Sequence, residues 1–231
     1  MGNPCTRRRF LAAAGCAAAL LPLTGRPLAA ARGSEVFPAP GKLVFDVFRG
    51  GERVGTHSFE FADGPGRFVA RYRSEIAFAL GSGREWRYLN DGEEIWRDGW
   101  LDILTSDTRR GAADHRLRLE REGAALYGRA DGRAISVSGY VITTSLWHRD
   151  TPFTQVLLGH EDGFTKVVNM LRLGSETVEA PEGPVSARRY ALSGEIERNL
   201  WYGPGARLLR ASWPGPEGEI LVLRLVEEID L

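Results

Sequence analysis

From Lys42 onward, apolar and polar residues alternate in short runs broken by glycine-rich turns. Leu43–Phe48 predicts a strand, Arg49-Gly50-Gly51-Glu52 a turn, and Val54–Phe61 the returning strand of a hairpin. Further on, Tyr72, Ser74, Ile76, Phe78 and Leu80 share one face while Arg71, Arg73 and Glu75 take the other. Leu117 and Leu119 stand in the same way against Arg116, Arg118 and Glu120. Near the end, Leu221, Leu223 and Leu225 alternate with Val222, Arg224 and Val226. A pleated strand turns successive side chains to opposite faces, so a period of two with one apolar face marks half-buried antiparallel strands.

Turn signals recur between these runs: Asp63-Gly64-Pro65-Gly66, Gly81-Ser82-Gly83, Asp98-Gly99, Asp131-Gly132, Asp162-Gly163, Glu182-Gly183 and Gly203-Pro204-Gly205. Connections between parallel strands would need helical stretches, and no long segment has a 3.6-residue period. The expectation is all-β: a single antiparallel meander sheet of about a dozen strands, strongly curved or closed into a barrel. One stretch, Ser145 to His160, alternates poorly and predicts an irregular or short helical segment near 145–160. Residues 41–231 then form a single β domain, and residues 32–40, with Pro38 and Pro40, a mobile lead-in.

The first 31 residues follow a different pattern. Arg7, Arg8 and Arg9 precede an apolar run, Leu11 to Leu23, which ends near the small residues Ala29, Ala30 and Ala31. A basic start, an apolar stretch too short to span a bilayer and a small-residue cleavage site describe a signal peptide, with the cut expected after Ala31. The arginine pair directly before Phe10-Leu11 points to the twin-arginine route. An ordinary arginine-rich secretory signal is the alternative. A lipoprotein signal at Ala14-Gly15-Cys16 fits less well, because apolar sequence continues beyond Cys16. The expected location is the periplasm, and the first partner is the twin-arginine export machinery.

Removing the leader alters both charge and cysteine chemistry. Of 30 basic residues, four (Arg7, Arg8, Arg9 and Arg26) leave with it, so 26 remain against 30 acidic residues, a formal charge of −4. Phosphate backbones need a concentrated basic face, so a nucleic-acid partner is not expected. Both cysteines, Cys5 and Cys16, also lie in the leader, which leaves no disulfide, thiol nucleophile or cysteine metal ligand. No second apolar run approaches membrane-spanning length.

Candidate chemistry is sparse. His57, His115, His148 and His160 show no paired ligand spacing; a site built across strands, such as His57 with His148, stays open, but no metal and no cofactor is expected. Gly81-Ser82-Gly83 lacks the strand-to-helix context of a nucleophile elbow. Glu93-Glu94 and Glu227-Glu228 are adjacent on strands and so face opposite sides, which makes them poor acid/base partners; solvent-face charges with one inward exception are expected. Asp107 and Arg109, at a strand end, make either an ion pair or a ligand clamp. Among six tryptophans, Trp147 stands out, because it lies beside His148, Arg149 and Asp150 in the irregular segment. Core packing and a pocket rim both account for that grouping.

Several segments in order resemble an uncharacterised exported bacterial family known only as a domain of unknown function. They are Arg53-Val54-Gly55-Thr56-His57, Glu94-Ile95-Trp96-Arg97-Asp98-Gly99-Trp100-Leu101 with Leu104-Thr105-Ser106-Asp107-Thr108, Ser145-Leu146-Trp147-His148, and Leu200-Trp201-Tyr202. The likeness runs from about Leu43 to Leu225. It implies a curved or barrel-like antiparallel sheet, similar to folds used by periplasmic lipid and lipoprotein carriers, and implies no catalytic or ligand residues.

The leading expectation is a periplasmic binding or carrier protein for an apolar or amphipathic, lipid-like small molecule, because antiparallel barrels of this size enclose one ligand. Ligand-contact candidates are Trp147, His148, Arg149, Trp96, Trp201, Tyr202, Asp107 and Arg109. The alternatives are a small-substrate hydrolase or isomerase using His148, and an envelope interaction module.

Overall fold

The computed structural model describes residues 37–230, so the expected leader and its cleavage point lie outside the described residues. Fifteen strands form one sheet. The first eight are β1 (Gly41–Arg49), β2 (Glu52–Gly64), β3 (Arg67–Ala79), β4 (Glu85–Arg97), β5 (Trp100–Arg110), β6 (Ala113–Glu122), β7 (Ala125–Ala130) and β8 (Arg133–Ser138). Two short strands follow, β9 (Ile142–Thr143) and β10 (Val156–Leu158). The rest are β11 (Thr165–Ala180), β12 (Gly183–Gly194), β13 (Arg198–Tyr202), β14 (Leu208–Pro214) and β15 (Ile220–Asp230).

The chain starts in the middle of the sheet at β1, meanders out to the edge strand β8, and re-enters at the opposite edge, β9. From there it meanders back to β15, which pairs antiparallel with β1. The other pairs are antiparallel too, except β9–β10, which is parallel. Only residues 139–141 join β8 to β9, and four Cα steps of about 3.8 Å reach no further than about 15 Å. The two edges therefore lie near each other, and the sheet curls like a barrel. It does not close, because β8 and β9 are not hydrogen-bonded neighbours.

Two expectations need correction. There are fifteen strands where about a dozen were expected, and the closed-barrel alternative gives way to an open, curled sheet. Strands of two and three residues, β9 and β10, are too short to show alternation. They also offer too little backbone to build a closing ladder. Curvature comes instead from irregular register at Val44/Phe45, Val47/Phe48 and Ile95/Trp96, since an extra residue on one strand bends it and sharpens its twist.

The inner face holds the core. Phe45, Val47, Phe59, Phe61, Trp96 and Leu119 are fully or almost fully buried, each contributing ~1.5–3 kcal/mol of transfer free energy. The expected alternation is present: Tyr72, Ser74, Ile76 and Phe78 are buried while Arg71, Arg73 and Glu75 are exposed. Leu221, Leu223 and Leu225 are likewise buried, with Arg224 outside over the Phe48 ring. Cross-strand pairs such as Arg71–Glu93 and Arg97–Asp102 line the outer face.

Gly92 shows how tightly the inner face is filled. It pairs with Tyr72 across β3 and β4, and a Cβ at this position would fall inside the Tyr72 ring. The glycine gives the tyrosine somewhere to lie flat, as an aromatic covering a strand glycine does.

The irregular segment occupies 144–155, so strand β10 falls inside the expected 145–160 stretch. Between β9 and β10 the chain makes one short 3₁₀ turn, Thr151–Phe153. This segment crosses the concave side of the sheet and is stapled there by Glu94.

Candidate functional site

Glu94 lies on the inward parity of β4 and is completely buried. One carboxylate oxygen accepts the Thr143 hydroxyl at 2.6 Å. The other accepts the indole N–H groups of Trp96 at 3.0 Å and Trp147 at 3.2 Å. Burial pushes its pKa up, against the pull of these donors. Glu94 is thus the inward exception among the paired glutamates, and its partner Glu93 faces out to Arg71. Two of its three bonds, from Thr143 and Trp147, tie residues 143–147 to β4, and the Tyr202 hydroxyl of β13 adds a third tie by donating to the Leu146 carbonyl at 2.7 Å. Leu146 itself sits at φ +69°, a left-handed conformation that is costly for a leucine and is held by these contacts.

Beneath this crossing segment is a cavity of about 520 Å³. Its walls come from both halves of the sheet: Val47, Phe59 and Ile76 on one side, Leu208, Leu221 and Leu223 on the other. Two histidines sit in this lining, each bonded to a hydroxyl. His57 Nδ1 is 2.6 Å from Ser74 Oγ, and His160 Nδ1 is 2.7 Å from Thr144 Oγ1. Burial, reinforced by His160, drives His57 down to about 3, so it is neutral at pH 7. Burial lowers His160 as well. The edge of the Tyr72 ring meets the His160 ring at 5.3 Å.

One part of the lining carries charge. Arg110 donates to both oxygens of Glu161, at 2.6 and 2.5 Å, and the Tyr88 hydroxyl donates to the same carboxylate at 3.0 Å. Burial acts to raise the Glu161 pKa, but His160, Arg110 and the Tyr88 bond outweigh it and the net direction is down. Arg198, at the start of β13, lines the same region with its guanidinium 5.4 Å from the Trp213 ring. A chamber that brings apolar side chains together with convergent polar groups offers the elements of a small-molecule site.

The structure divides the residues expected from sequence into three places. Trp96, Trp147 and His148 form one aromatic cluster: the His148 ring stacks on Trp96 at 5.0 Å and lies 5.3 Å from Trp147. His148 Nδ1 accepts the Asp150 N–H at 3.1 Å, its Nε2 has no partner among the described residues, and burial lowers its pKa to about 4. It lines neither the large cavity nor a smaller one of about 210 Å³, in whose wall Trp147 and Arg149 take part. Tyr202 is buried beside the crossing segment, whereas Trp201 donates to Glu176 with Arg189 and Arg210 over its ring. Asp107 and Arg109 are exposed on β5, in ion pairs with Arg116 and Asp114 at 2.8 and 2.7 Å. None of these eight residues lines the large cavity. Among the described residues, no group of three or more His, Cys, Asp or Glu side chains is placed to hold a metal.

His57, Ser74, Tyr88, Arg110, His160, Glu161 and Arg198 were not singled out from sequence as cavity residues. A signal did exist for some of them. His57 shares strand parity with Phe59 and Phe61, and Ser74 lies between Tyr72 and Ile76, so each is a polar residue on an apolar face. Glu161 and Arg198 come from or beside loops, where parity carries no information.

Comparison with solved structures supports the fold. The chain is similar to a β-barrel-like protein of the domain of unknown function DUF1849 from Brucella abortus, with a TM-score of 0.61 and 8% identity, over 83% of this chain and 97% of that one. No curated protein matches the sequence. Residues 45–226 match the family model of the domain of unknown function DUF6134, and the chain belongs to that family.

Proposed function

We propose that this is a binding or carrier protein that takes an apolar or amphipathic, lipid-like small molecule into the concave cavity. The observation that carries the reading is the chamber of about 520 Å³ itself. It is within the ~300–1,000 Å³ range of ligand sites, and its lining holds both apolar side chains and convergent polar groups. The sheet supplies the walls, and residues 144–146 of the stapled segment cover one part of the lining. In the same proposal the protein works in the periplasm after twin-arginine export, a reading supported by the order of arginine pair, apolar run and small residues in the leader.

The test is to titrate the purified protein with a fluorescent apolar probe, then displace the probe with single-chain amphiphiles. The comparison is Ala211→Phe, which puts a ring where a buried methyl lines the chamber. The expected result is one probe per wild-type molecule and at least roughly tenfold weaker binding in the variant. Equal binding by the two proteins would move the site elsewhere.

An enzymatic reading has one specific support, and it lies at His57 rather than at His148. His57 and Ser74 are in base–nucleophile contact on the cavity wall. Turnover of small esters, lost in Ser74→Ala while the probe still binds, would favour a hydrolase over a carrier.

A further inference from the structure

We infer that the molecule held in the cavity is an anionic amphiphile, its carboxylate head received by the guanidinium of Arg198 and its apolar body laid along Val47, Phe59, Ile76, Leu208 and Leu223. The inference rests on the cavity being a binding site and adds what the ligand must carry. Its ground is the distribution of charge around one end of the chamber. Arg110 and Glu161 neutralise each other in a two-pronged ion pair, and Tyr88 uses a further acceptor position on the same carboxylate. The neighbouring histidines are neutral, because burial lowers both His57 and His160.

Arg198 is left over. Of its five N–H donors, one is bonded among the described residues, to the carbonyl of Glu197 at 2.8 Å. Two other carboxylates belong to the lining. Glu195 is exposed and accepts the Val167 N–H at 2.5 Å, and Glu197 is exposed. Neither comes within the 4.0 Å of an ion pair with Arg198. Arg198 is half-buried, and its unbonded nitrogens stay accessible, so an anion entering the cavity can reach them. Burial, with Arg110 nearby, lowers the Arg198 pKa to about 10, which still leaves it charged at pH 7. The fork of donors suits a carboxylate, which can accept two parallel bonds. Val47, Phe59, Ile76, Leu208 and Leu223 add apolar surface to the lining, interspersed with His57 and Ser74, so a ligand that uses both kinds of surface has a charged head and a hydrocarbon body.

Dodecanoate, dodecanol and dodecyltrimethylammonium differ in the head and share the chain. Their dissociation constants are measured by calorimetry on wild type, Arg198→Met and Arg198→Lys. Wild type should bind dodecanoate at least roughly tenfold tighter than dodecanol, with the cation weakest. Arg198→Met should lose roughly tenfold to a hundredfold for dodecanoate and leave dodecanol unchanged, and Arg198→Lys should recover part of the loss. Equal affinity of wild type for dodecanoate and dodecanol overturns the proposal without recourse to any variant, and leaves the cavity reading standing. Equal loss of both ligands in Arg198→Met assigns Arg198 a structural role and also overturns it. Absence of binding by all three compounds contradicts the cavity reading itself.

Discussion

Replacing Glu94 by alanine should be among the most damaging single changes in the domain. The carboxylate accepts three donors, two of them indole N–H groups of Trp96 and Trp147, residues that are 0% and 3% exposed. Thr143 keeps a partner after the change, because its hydroxyl also lies 2.6 Å from Ser145 Oγ. The two indoles do not. Each orphaned buried donor costs ~1–3 kcal/mol, and relief of the buried negative charge offsets part of the total. The two donors give ~2–6 kcal/mol before that offset, so a net loss of ~2–4 kcal/mol follows, or a fall in Tm of ~4–16 °C for a domain of this size. Glu94→Gln should cost less than ~1.5 kcal/mol, because its carbonyl can face the indoles while its amide faces Thr143.

The pH dependence separates these effects. The folded pKa of Glu94 lies above its unfolded value, so between the two the native state binds more protons, and stability falls as pH rises through that window. Glu94→Gln lacks this loss and should compare better with wild type at pH 8 than at pH 5. Urea unfolding followed by both circular dichroism and tryptophan fluorescence gives the numbers, provided the two probes coincide. An alanine variant within ~1 kcal/mol of wild type, or a glutamine variant as damaged as the alanine one, would refute the stapling role.

Acid should destabilise the protein through its buried histidines. His57 and His148 are held near 3 and 4, while their unfolded values are near 6.5, so the unfolded chain takes up protons first. Their stabilising effect is complete above about pH 6.5 and declines as pH falls, by up to ~1.4 kcal/mol per unit for each. Unfolding at pH 7, 6 and 5 should show this slope, to which His160 adds, and His57→Gln should remove roughly a third to a half of it; an unchanged slope would mean His57 is not the group titrating. Gly92→Ala should cost ~1–3 kcal/mol, because Tyr72 occupies the space its Cβ needs, and thermal unfolding should show a smaller cost for the same change in a Tyr72→Ala background. Arg109→Ala should change stability by less than ~0.5 kcal/mol and leave probe binding intact, since its exposed pair with Asp114 is remote from the cavity lining.

The fold was readable where strands are long enough to show their parity. β1, β3 and β15 display the alternation that sets Phe45, Tyr72 and Leu223 inside, because one face of each meets the core and the other meets water. β9 and β10 carry only five residues between them, and whether the last seam closes depends on those five. That is why the strand number expected from the pattern falls short of fifteen, and why the pattern fits a strongly curved and a closed sheet alike. The site was less readable for a different reason. Trp147 and His148 attracted notice as an aromatic and a titratable group in an irregular segment, yet this segment crosses the core and buries both. The chamber beneath it is assembled from one or a few residues each of β1–β5 and β13–β15 together with four loops. No local spacing brings His57, His160 and Arg198 together; only the curl of the sheet does. The useful trace was the polar side chain on an apolar parity, which marks His57, Ser74 and Glu94 alike.

Native mass spectrometry of the protein, purified without detergent, tests the central claim most directly. A ligand-filled chamber predicts one reproducible extra mass per molecule, lost on denaturation and absent from Ala211→Phe. An unchanged apo mass in wild type, persisting after incubation with single-chain amphiphiles, would contradict it.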